Sequence, residues 1–254
     1  MSSNFLLLND SKTEFVLLSS GKSSLVNFND IIFGNESVPV STGARNLGVY
    51  FDSQLSMETH IANVSKSCFF HLRSINRIRT SLSKADTEKL VHALISSRLD
   101  SCNSLLAGLP SSRLKPLVRV QHAACCSCQK IDHVTPILEK LHWLPLEHRL
   151  NYKLLVMVFK SLHGFAPKYL CDLVKWYSPN RSLRSGFQFL AEQKSVKKCR
   201  SGMRTSKAMY KDRAFENLGP KLFNDLPISV RSSENVNVFK SRLKTFLFKK
   251  AFNL

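Results

Sequence analysis

The chain has 254 residues, of which 43% are hydrophobic and 22% are charged, and this composition argues against disorder over most of its length. The length allows one large domain or two modest domains with proper cores. The formal net charge of +19 is uneven, because residues 1–60 contain 3 basic and 6 acidic residues, which leaves 34 basic and 12 acidic residues for positions 61–254. This positive excess indicates a polyanionic partner, most simply RNA or DNA; a basic surface without a ligand is the alternative.

The sequence contains no apolar run long enough to span a membrane, and its first residues do not have the pattern of a secretory signal. The longest unbroken apolar run, Leu154–Phe159, is far shorter than the roughly 20 residues that a span requires, and Met1–Leu8 lacks a basic region. Seven cysteines, an odd number without a signal, are typical of reduced thiols in a reducing compartment. We therefore expect no membrane partner and an intracellular location, in the nucleus or the cytoplasm.

The first part of the chain has the pattern of short β-strands. Apolar and β-branched runs occur at Thr13–Leu18, Leu25–Phe33 and Asn46–Asp52, and turn residues separate them. Ser37–Val40 contains Pro39, which cannot donate a ladder hydrogen bond, so we expect an edge strand or the end of a strand there. These runs predict a small antiparallel sheet with too little mass to stand alone.

Helical periodicity follows, and it is most pronounced in the stretch His142–Leu173. Pro145 can open a helix there and Gly164 supplies a C-terminal stop, which together predict a helix over Leu146–Leu162. Apolar residues cover most of its circumference, so we expect this helix to lie buried at the centre of a helical bundle. Two of its residues are predicted to lie in the middle of the core, Leu154 and Val158.

The C-terminal region changes character twice. Residues 178–211 are rich in Ser, Arg, Lys and Gly and have few periodic apolar positions, so we predict a basic flexible loop. Order returns over residues 212–254. There the Gly219-Pro220 pair is expected to interrupt any helix, and Ser233 is expected to cap a final helix that ends near Phe252.

The predicted fold class is α+β and mostly helical. It comprises a small N-terminal antiparallel sheet in residues 1–55, a helical bundle in residues 56–177 and a basic, loop-rich C-terminal region. The helical segment of that region, residues 212–254, is expected to pack on the bundle. This division follows the change of the hydrophobic period from two to about 3.6 residues.

The sequence contains no recognisable catalytic motif. No two acidic residues are adjacent anywhere in the chain, and there is no nucleotide-binding glycine loop, serine-nucleophile motif or zinc-protease motif. Cysteines and histidines cluster between His122 and His142, but their spacing matches no standard zinc ligand set, so buried thiols at a helix end are the favoured interpretation. We therefore predict no catalytic, metal-binding or cofactor-binding residues.

Two groups of basic residues repeat at helical spacing and are the candidate nucleic-acid-binding residues. They are Arg73, Arg77 and Arg79 in the first group, and Arg149, Lys153 and Lys160 in the second. Such stripes can follow a phosphate backbone, although a solvated helix face is the usual explanation of any single stripe. Aromatic residues do not interleave with them in the manner of a stacking platform, which weakens the prediction of nucleic-acid binding.

Nine stretches of the sequence, taken in order, resemble one family over nearly the whole chain. They are Leu8–Leu18 (LNDSKTEFVLL), Ala44–Ile61 (ARNLGVYFDSQLSMETHI), Leu90–Pro110, Arg119–Ala124 (RVQHAA), Asp132–Leu155, Phe159–Leu173 (FKSLHGFAPKYLCDL), Arg181–Ser185, Asp212–Arg231 and Phe239–Phe252. The family that they resemble is the reverse transcriptase of non-LTR (LINE-type) retrotransposons, in particular the jockey-like group.

The resemblance implies that residues 1–55 are a remnant of a polymerase palm sheet and that residues 56–177 are a thumb-like helical bundle. Members of the family carry a Tyr/Phe-x-Asp-Asp motif that binds two metal ions, usually Mg²⁺, and this sequence has no such motif. Lys12 lies where the family has a lysine thought to assist nucleotide addition. We therefore expect a fragment of an RNA-directed DNA polymerase that binds template and primer, without polymerase activity and without a cofactor of its own.

Two alternatives to this function stay open. The first is a retrotransposon remnant that now serves as a helical adaptor or a nucleic-acid-binding protein. The second is a translated remnant with no selected role.

Overall fold

The computed structural model of the chain describes residues 13–18, 30–33, 36–128, 133–178, 189–193 and 211–254. Two compact units divide between Ala62 and Asn63, and the described strands lie in the first unit. Lys12 and most of the predicted basic loop, residues 178–211, lie outside the described residues.

The N-terminal unit contains short strands, as the sequence predicted. They are β1 (Phe15–Val16), β2 (Asp30–Phe33), β3 (Glu36–Ser41), β4 (Gly43–Asn46) and β5 (Val49–Asp52). One sheet has the order β1-β3-β2, and β4 and β5 form a separate antiparallel pair. The small sheet is confirmed, but it is mixed, because β1 runs parallel to β3 while β2 runs antiparallel to it. The connection from β1 to β3 includes β2 and is long enough for the crossover that a parallel pair requires.

Pro39 lies in β3, which is the middle strand of its sheet, so of the two predicted placements, an edge strand or a strand end, the edge strand is wrong. Across the sheet its partner on β2 is Asp30, and the pairing of β3 with β1 begins only at Val40. At Pro39 the strand therefore has a paired neighbour on one side only. That is the local condition under which a strand tolerates a residue without an N–H group.

The predicted strand Asn46–Asp52 is interrupted by a tight turn, so this prediction is corrected to a hairpin. Leu47 and Gly48 have φ values of 47° and 84°, and they connect β4 directly to β5. Two successive residues with positive φ match the twist of a two-residue antiparallel hairpin. Gly48 adopts this conformation without the steric cost of a Cβ atom.

Asp52 organises the turn between β5 and the first helix. Its carboxylate accepts hydrogen bonds from the backbone N–H groups of Gln54 (3.1 Å), Ser56 (2.7 Å) and Met57 (2.8 Å). Burial raises the pKa of Asp52, but these hydrogen bonds and one from the Ser56 hydroxyl (2.9 Å) outweigh it and hold the pKa below its usual value. The bonds also hold Met57 at a φ of 63°, a conformation that side-chain-bearing residues rarely adopt.

Helices dominate the rest of the described chain, which confirms the mostly helical α+β class. Short 3₁₀ turns occur at Arg79–Ser81 and Asn103–Leu106, and a π-helical turn, His92–Ser96, joins the second helix to the third. The helices are α1 (Glu58–Ile78), α2 (Lys84–Val91), α3 (Ser97–Asp100), α4 (Ser111–Cys128), α5 (Val134–Lys140), α6 (Leu146–Leu162), α7 (Lys168–Cys171), α8 (Phe215–Asn224), α9 (Ile228–Arg231) and α10 (Val236–Phe252).

The central helix α6 has the bounds that the sequence predicted. Leu154 is 4% exposed and Val158 is fully buried, which confirms their predicted place in the core. Near its C-terminal end the ring of Phe159 stacks on Phe239 of α10, with ring centroids 4.1 Å apart. Phe223 of α8 lies beside the same stack and is fully buried. These aromatic contacts hold α6, α8 and α10 together.

The Gly219-Pro220 pair does not interrupt a helix, so that prediction is wrong. Helix α8 runs from Phe215 to Asn224 through both residues. A Cβ atom at Gly219 would lie 2.7 Å from Cγ2 of Val158, so the glycine permits close packing of α8 against α6. Pro220 costs the helix one backbone hydrogen bond, and the burial of its ring offsets that cost.

The cap of the final helix is Asn235, which corrects the prediction that Ser233 would cap it. The side-chain oxygen of Asn235 accepts hydrogen bonds from the N–H groups of Asn237 (3.0 Å) and Val238 (2.9 Å). Ser233 is buried instead, and its hydroxyl donates to the carbonyl of Val230 at 2.6 Å. Because both residue types are good caps, the sequence alone did not separate them.

The close approach at Gly219 generates a stability prediction. Replacement by Ala favours the helix by about 1 kcal/mol in an exposed position, but here the added methyl group meets the buried Val158. The stiff β-branched side chain cannot yield, so we expect Gly219→Ala to lower the free energy of unfolding by about 1–2 kcal/mol. Urea unfolding followed by circular dichroism measures this change.

The control for this prediction is a double-mutant cycle with Val158→Ala. The second substitution removes the atom that the new methyl group meets, so the two losses should be non-additive, with a coupling of about 0.5–3 kcal/mol. Additive losses would show that Val158 does not restrict residue 219.

Candidate nucleic-acid interface

A stripe of exposed side chains runs along α1, and we call it the α1 surface. It consists of Lys66, Phe70, Arg73 and Arg77, all of which are exposed. Their spacing of four, three and four residues places them within roughly 60° of one another around a helix. The opposite face of α1 carries the buried residues Cys68, Leu72 and Ile75. The buried face fixes the helix, and the α1 surface is left in contact with water.

The α1 surface has no acidic neighbour along its own helix. The sequence contains no Asp or Glu between Glu58 and Asp86. On a helix, an acidic residue three or four positions away would pair with a basic residue and partly neutralise it. Here that neutralisation is missing, so the positive potential of the stripe is available to an anionic partner.

Phe70 interleaves with the basic residues of this surface, which corrects the expectation that aromatic residues do not. Its side chain is 60% exposed, and its ring makes an edge contact with His71, with centroids 5.4 Å apart. Nε2 of His71 lies 3.0 Å from Nη2 of Arg98, which places a further cation beside the ring. An exposed aromatic ring among cations can stack on a nucleic-acid base.

The position of Phe70 in the sequence already indicates an exposed ring. The apolar seam of α1 is already complete with Cys68, Leu72 and Ile75. Phe70 lies off this seam, four residues after Lys66 and three before Arg73. A large aromatic residue on the basic side of an amphipathic helix therefore marks exposure rather than burial.

Arg79 was predicted together with Arg73 and Arg77, but the structure separates it from them. Helix α1 ends at Ile78, and Arg79 begins the following 3₁₀ turn. Its Nη1 donates a hydrogen bond to the carbonyl of Cys126 in α4 at 3.4 Å. Arg79 therefore connects α1 to α4, and only Arg73 and Arg77 of this group share the α1 surface.

The second predicted stripe lies on α6, and its members have different surroundings. Arg149 pairs with Asp100 at the end of α3 through both Nε (3.0 Å) and Nη2, and its side chain is 16% exposed. Lys153 is exposed and Lys160 is half-buried. Arg149 therefore has a partner within the protein, whereas binding of a phosphate by any of the three remains a prediction. Lys12 lies outside the described residues.

The cysteines at the end of α4 are mostly buried. Cys125 is fully buried and Cys128 is 5% exposed, whereas Cys126 is exposed. Burial raises the pKa of Cys125 to about 12 and that of Cys128 to about 11. Both thiols are therefore protonated at neutral pH and behave as small apolar side chains.

Comparisons of the chain with protein-family models, with curated proteins and with solved structures found no match in any of the three. Within the described part of the chain, no helix combines the length and the apolar character needed to cross a membrane. The same residues include no group of three or more His, Cys, Asp or Glu side chains that could hold a metal ion.

The ion pair between Arg149 and Asp100 generates a prediction about stability. Asp100→Ala leaves the largely buried guanidinium without its partner and also removes the acceptor of Asn103, which is 2% exposed. We expect a loss of about 1–3 kcal/mol in the free energy of unfolding. The control is Lys89→Ala, which breaks the exposed pair with Asp86 and should cost less than about 1 kcal/mol. Equal losses in urea unfolding would contradict a structural role of Arg149.

Proposed function

We propose that this chain belongs to the RNA-directed DNA polymerases of non-LTR retrotransposons and binds template–primer nucleic acid through the α1 surface. Nine stretches that resemble this family occur in the family's order along the chain. The observation that carries the binding proposal is the exposed stripe of Lys66, Phe70, Arg73 and Arg77, none of which has an acidic residue within four positions along α1.

The chemistry of this surface suits a strand with both phosphates and accessible bases. Three cations in a row can each contact a phosphate and release condensed counterions. Phe70 can stack on an unpaired base. This contact does not depend on the identity of the base, because every base has a π-face. A template–primer duplex with a single-stranded template overhang offers both features at one junction. The α1 surface therefore fits that junction better than it fits a blunt duplex.

The proposal assigns binding to this chain and not nucleotidyl transfer. Polymerases transfer nucleotides with two metal ions that acidic side chains hold close together, and no two acidic residues are adjacent in these 254 residues. Lys153 and Lys160 on α6 are proposed as further phosphate contacts, and Lys12 as a contact near the primer end. Arg79 and Arg149 are proposed to support the surface indirectly, because both hold neighbouring helices together.

A salt titration tests the charge of the α1 surface. The triple variant Lys66→Gln, Arg73→Gln and Arg77→Gln removes three cations, and each lost phosphate contact lowers the slope of log affinity against log salt by about 0.9 for a duplex. We expect the slope to fall by roughly 2–3 in fluorescence anisotropy with an RNA–DNA hybrid.

The matched control removes three exposed lysines elsewhere in the same unit: Lys168→Gln, Lys175→Gln and Lys221→Gln. Equal slopes for both triple variants would show that charge acts diffusely and that the α1 surface is not the binding site. Wild-type protein that binds no nucleic acid at low salt would contradict the proposed function. That result would favour the helical adaptor or the remnant without a selected role.

Stacking by Phe70 is tested separately from charge. Phe70→Ala should weaken binding of a hybrid with a template overhang by about 1–3 kcal/mol, because one stacked base is lost. The salt slope should stay unchanged, since no cation is removed. Phe165→Ala is the control, because Phe165 is 62% exposed and Phe70 is 60% exposed. A blunt hybrid that loses as much affinity as the overhang substrate would argue against stacking.

A further inference from the structure

A cavity of about 280 Å³ opens beside the first half of α6. Arg149, Tyr152 and Lys153 of α6 form one wall, and Lys244 of α10 forms another. Trp143, which is 6% exposed, lies in the segment between α5 and α6 and also lines the cavity. Its volume is close to the lower end of the range of small-molecule pockets, about 300–1,000 Å³.

The lining of this cavity is positively charged. It includes three cations, Arg149, Lys153 and Lys244, and one carboxylate, that of Asp100. The pair with Asp100 uses two of the five N–H donors of Arg149, so the guanidinium retains donors for a ligand. Lys153 and Lys244 are both exposed at the rim. A ligand would therefore meet two exposed ammonium groups and one largely buried guanidinium that Asp100 orients.

Two unusual backbone conformations occur in the wall of the same cavity. His92 begins the π-helical turn His92–Ser96, and such turns are frequent at functional sites. His142 has a φ of 53° after α5, at a position where glycine is usual. The ring of His92 contacts Trp143, with centroids 4.8 Å apart, so the two elements meet at the cavity. They come from separate parts of the chain and are independent observations.

We propose that this cavity binds a nucleoside monophosphate, with its phosphate held by Arg149, Lys153 and Lys244. A phosphate monoester carries close to two negative charges at neutral pH, and the lining offers three cations against one carboxylate. An inorganic phosphate would fill only part of 280 Å³. The lining also includes Tyr152, His92 and His142, whose rings suit a planar base. This site does not include the α1 surface, although it shares Lys153 with the further phosphate contacts proposed above, and it goes beyond the binding role proposed for that surface.

Isothermal titration calorimetry of the full chain with AMP and with adenosine tests the proposal. AMP should bind, and adenosine, which lacks the phosphate, should bind at least about tenfold more weakly, because hydrogen bonds to a charged group are lost. Equal binding of AMP and adenosine, or no binding of AMP, would overturn the proposal.

Two exposed lysines allow a variant that leaves the fold intact. Lys153→Gln with Lys244→Gln should weaken AMP by roughly tenfold or more, whereas the control pair Lys168→Gln with Lys175→Gln should leave the dissociation constant within about twofold. Circular dichroism checks that both variants keep their helices. Equal weakening of AMP binding in the two double variants would mean that AMP responds to the net charge of the protein and not to the cavity.

Tryptophan fluorescence places the ligand within the molecule. The chain has two tryptophans, and Trp176→Phe leaves Trp143 as the sole reporter. AMP should change its emission with the dissociation constant that calorimetry gives for the same variant. Binding without a change at Trp143 would place AMP elsewhere and overturn the proposal.

The last experiment asks whether the phosphate belongs to a strand end or to a free nucleotide. It also asks whether the cavity binds AMP independently of the α1 surface. If a 5′-phosphorylated oligonucleotide displaces bound AMP and its 5′-hydroxyl form does not, the cavity is assigned to a strand end. If neither oligonucleotide displaces AMP, the cavity is assigned to a free nucleotide. Equal competition by both oligonucleotides would overturn the preference for a monoester. The triple variant of the α1 surface should bind AMP normally, so a failure of hybrid binding in that variant would leave the cavity proposal standing. Loss of AMP binding in the same variant would overturn the cavity proposal.

Discussion

One buried amide, that of Gln121, fixes the geometry on which the helical unit depends. Gln121 lies in α4 and is 2% exposed. Its Nε2 donates to the carbonyl of Leu144 at 2.8 Å, and its Oε1 accepts from the N–H of Leu146 at 2.9 Å. Leu146 is the first residue of α6, where a backbone N–H has no acceptor within the helix. Without this side chain two buried backbone groups would lose their partners, each at a cost of about 1–3 kcal/mol.

The position of the cavity follows from this polar contact at one end of α6 and an aromatic contact at the other. Gln121 holds the segment before α6, which includes Trp143, while the stack of Phe159 on Phe239 holds α10 against the later turns of α6. A helix fixed at both ends cannot slide along its partner, because packed interiors resist small displacements. Lys153 and Lys244 therefore line one cavity although they lie far apart in the sequence.

Features encoded by neighbouring residues were predictable, and features that depend on distant partners were not. The bounds of α6 follow from Pro145, Gly164 and the apolar pattern between them, all of which act locally. In contrast, the close packing at Gly219 involves Val158 of another helix. Likewise, Arg149 pairs with Asp100, which lies far from it in the sequence. The basic stripes were visible in the sequence for the same reason as α6, since their period is helical. Which of their members face water was decided by contacts between helices that the period does not encode.

The two cationic surfaces of the protein differ in how water and salt act on them. Lys66, Arg73 and Arg77 lie in water, so each contributes little by itself and ions screen their field within about 8–10 Å. Arg149 is 16% exposed and is oriented by Asp100, so a charge beside it is screened less and meets donors already in place. An extended strand with many phosphates suits the first surface, because many weak contacts add up. A single anion suits the second, because a few oriented donors suffice beside a guanidinium that is itself largely buried. The excess of positive charge in the sequence therefore includes two physically distinct groups of cations, an exposed helical stripe and a cavity lining whose guanidinium is largely buried.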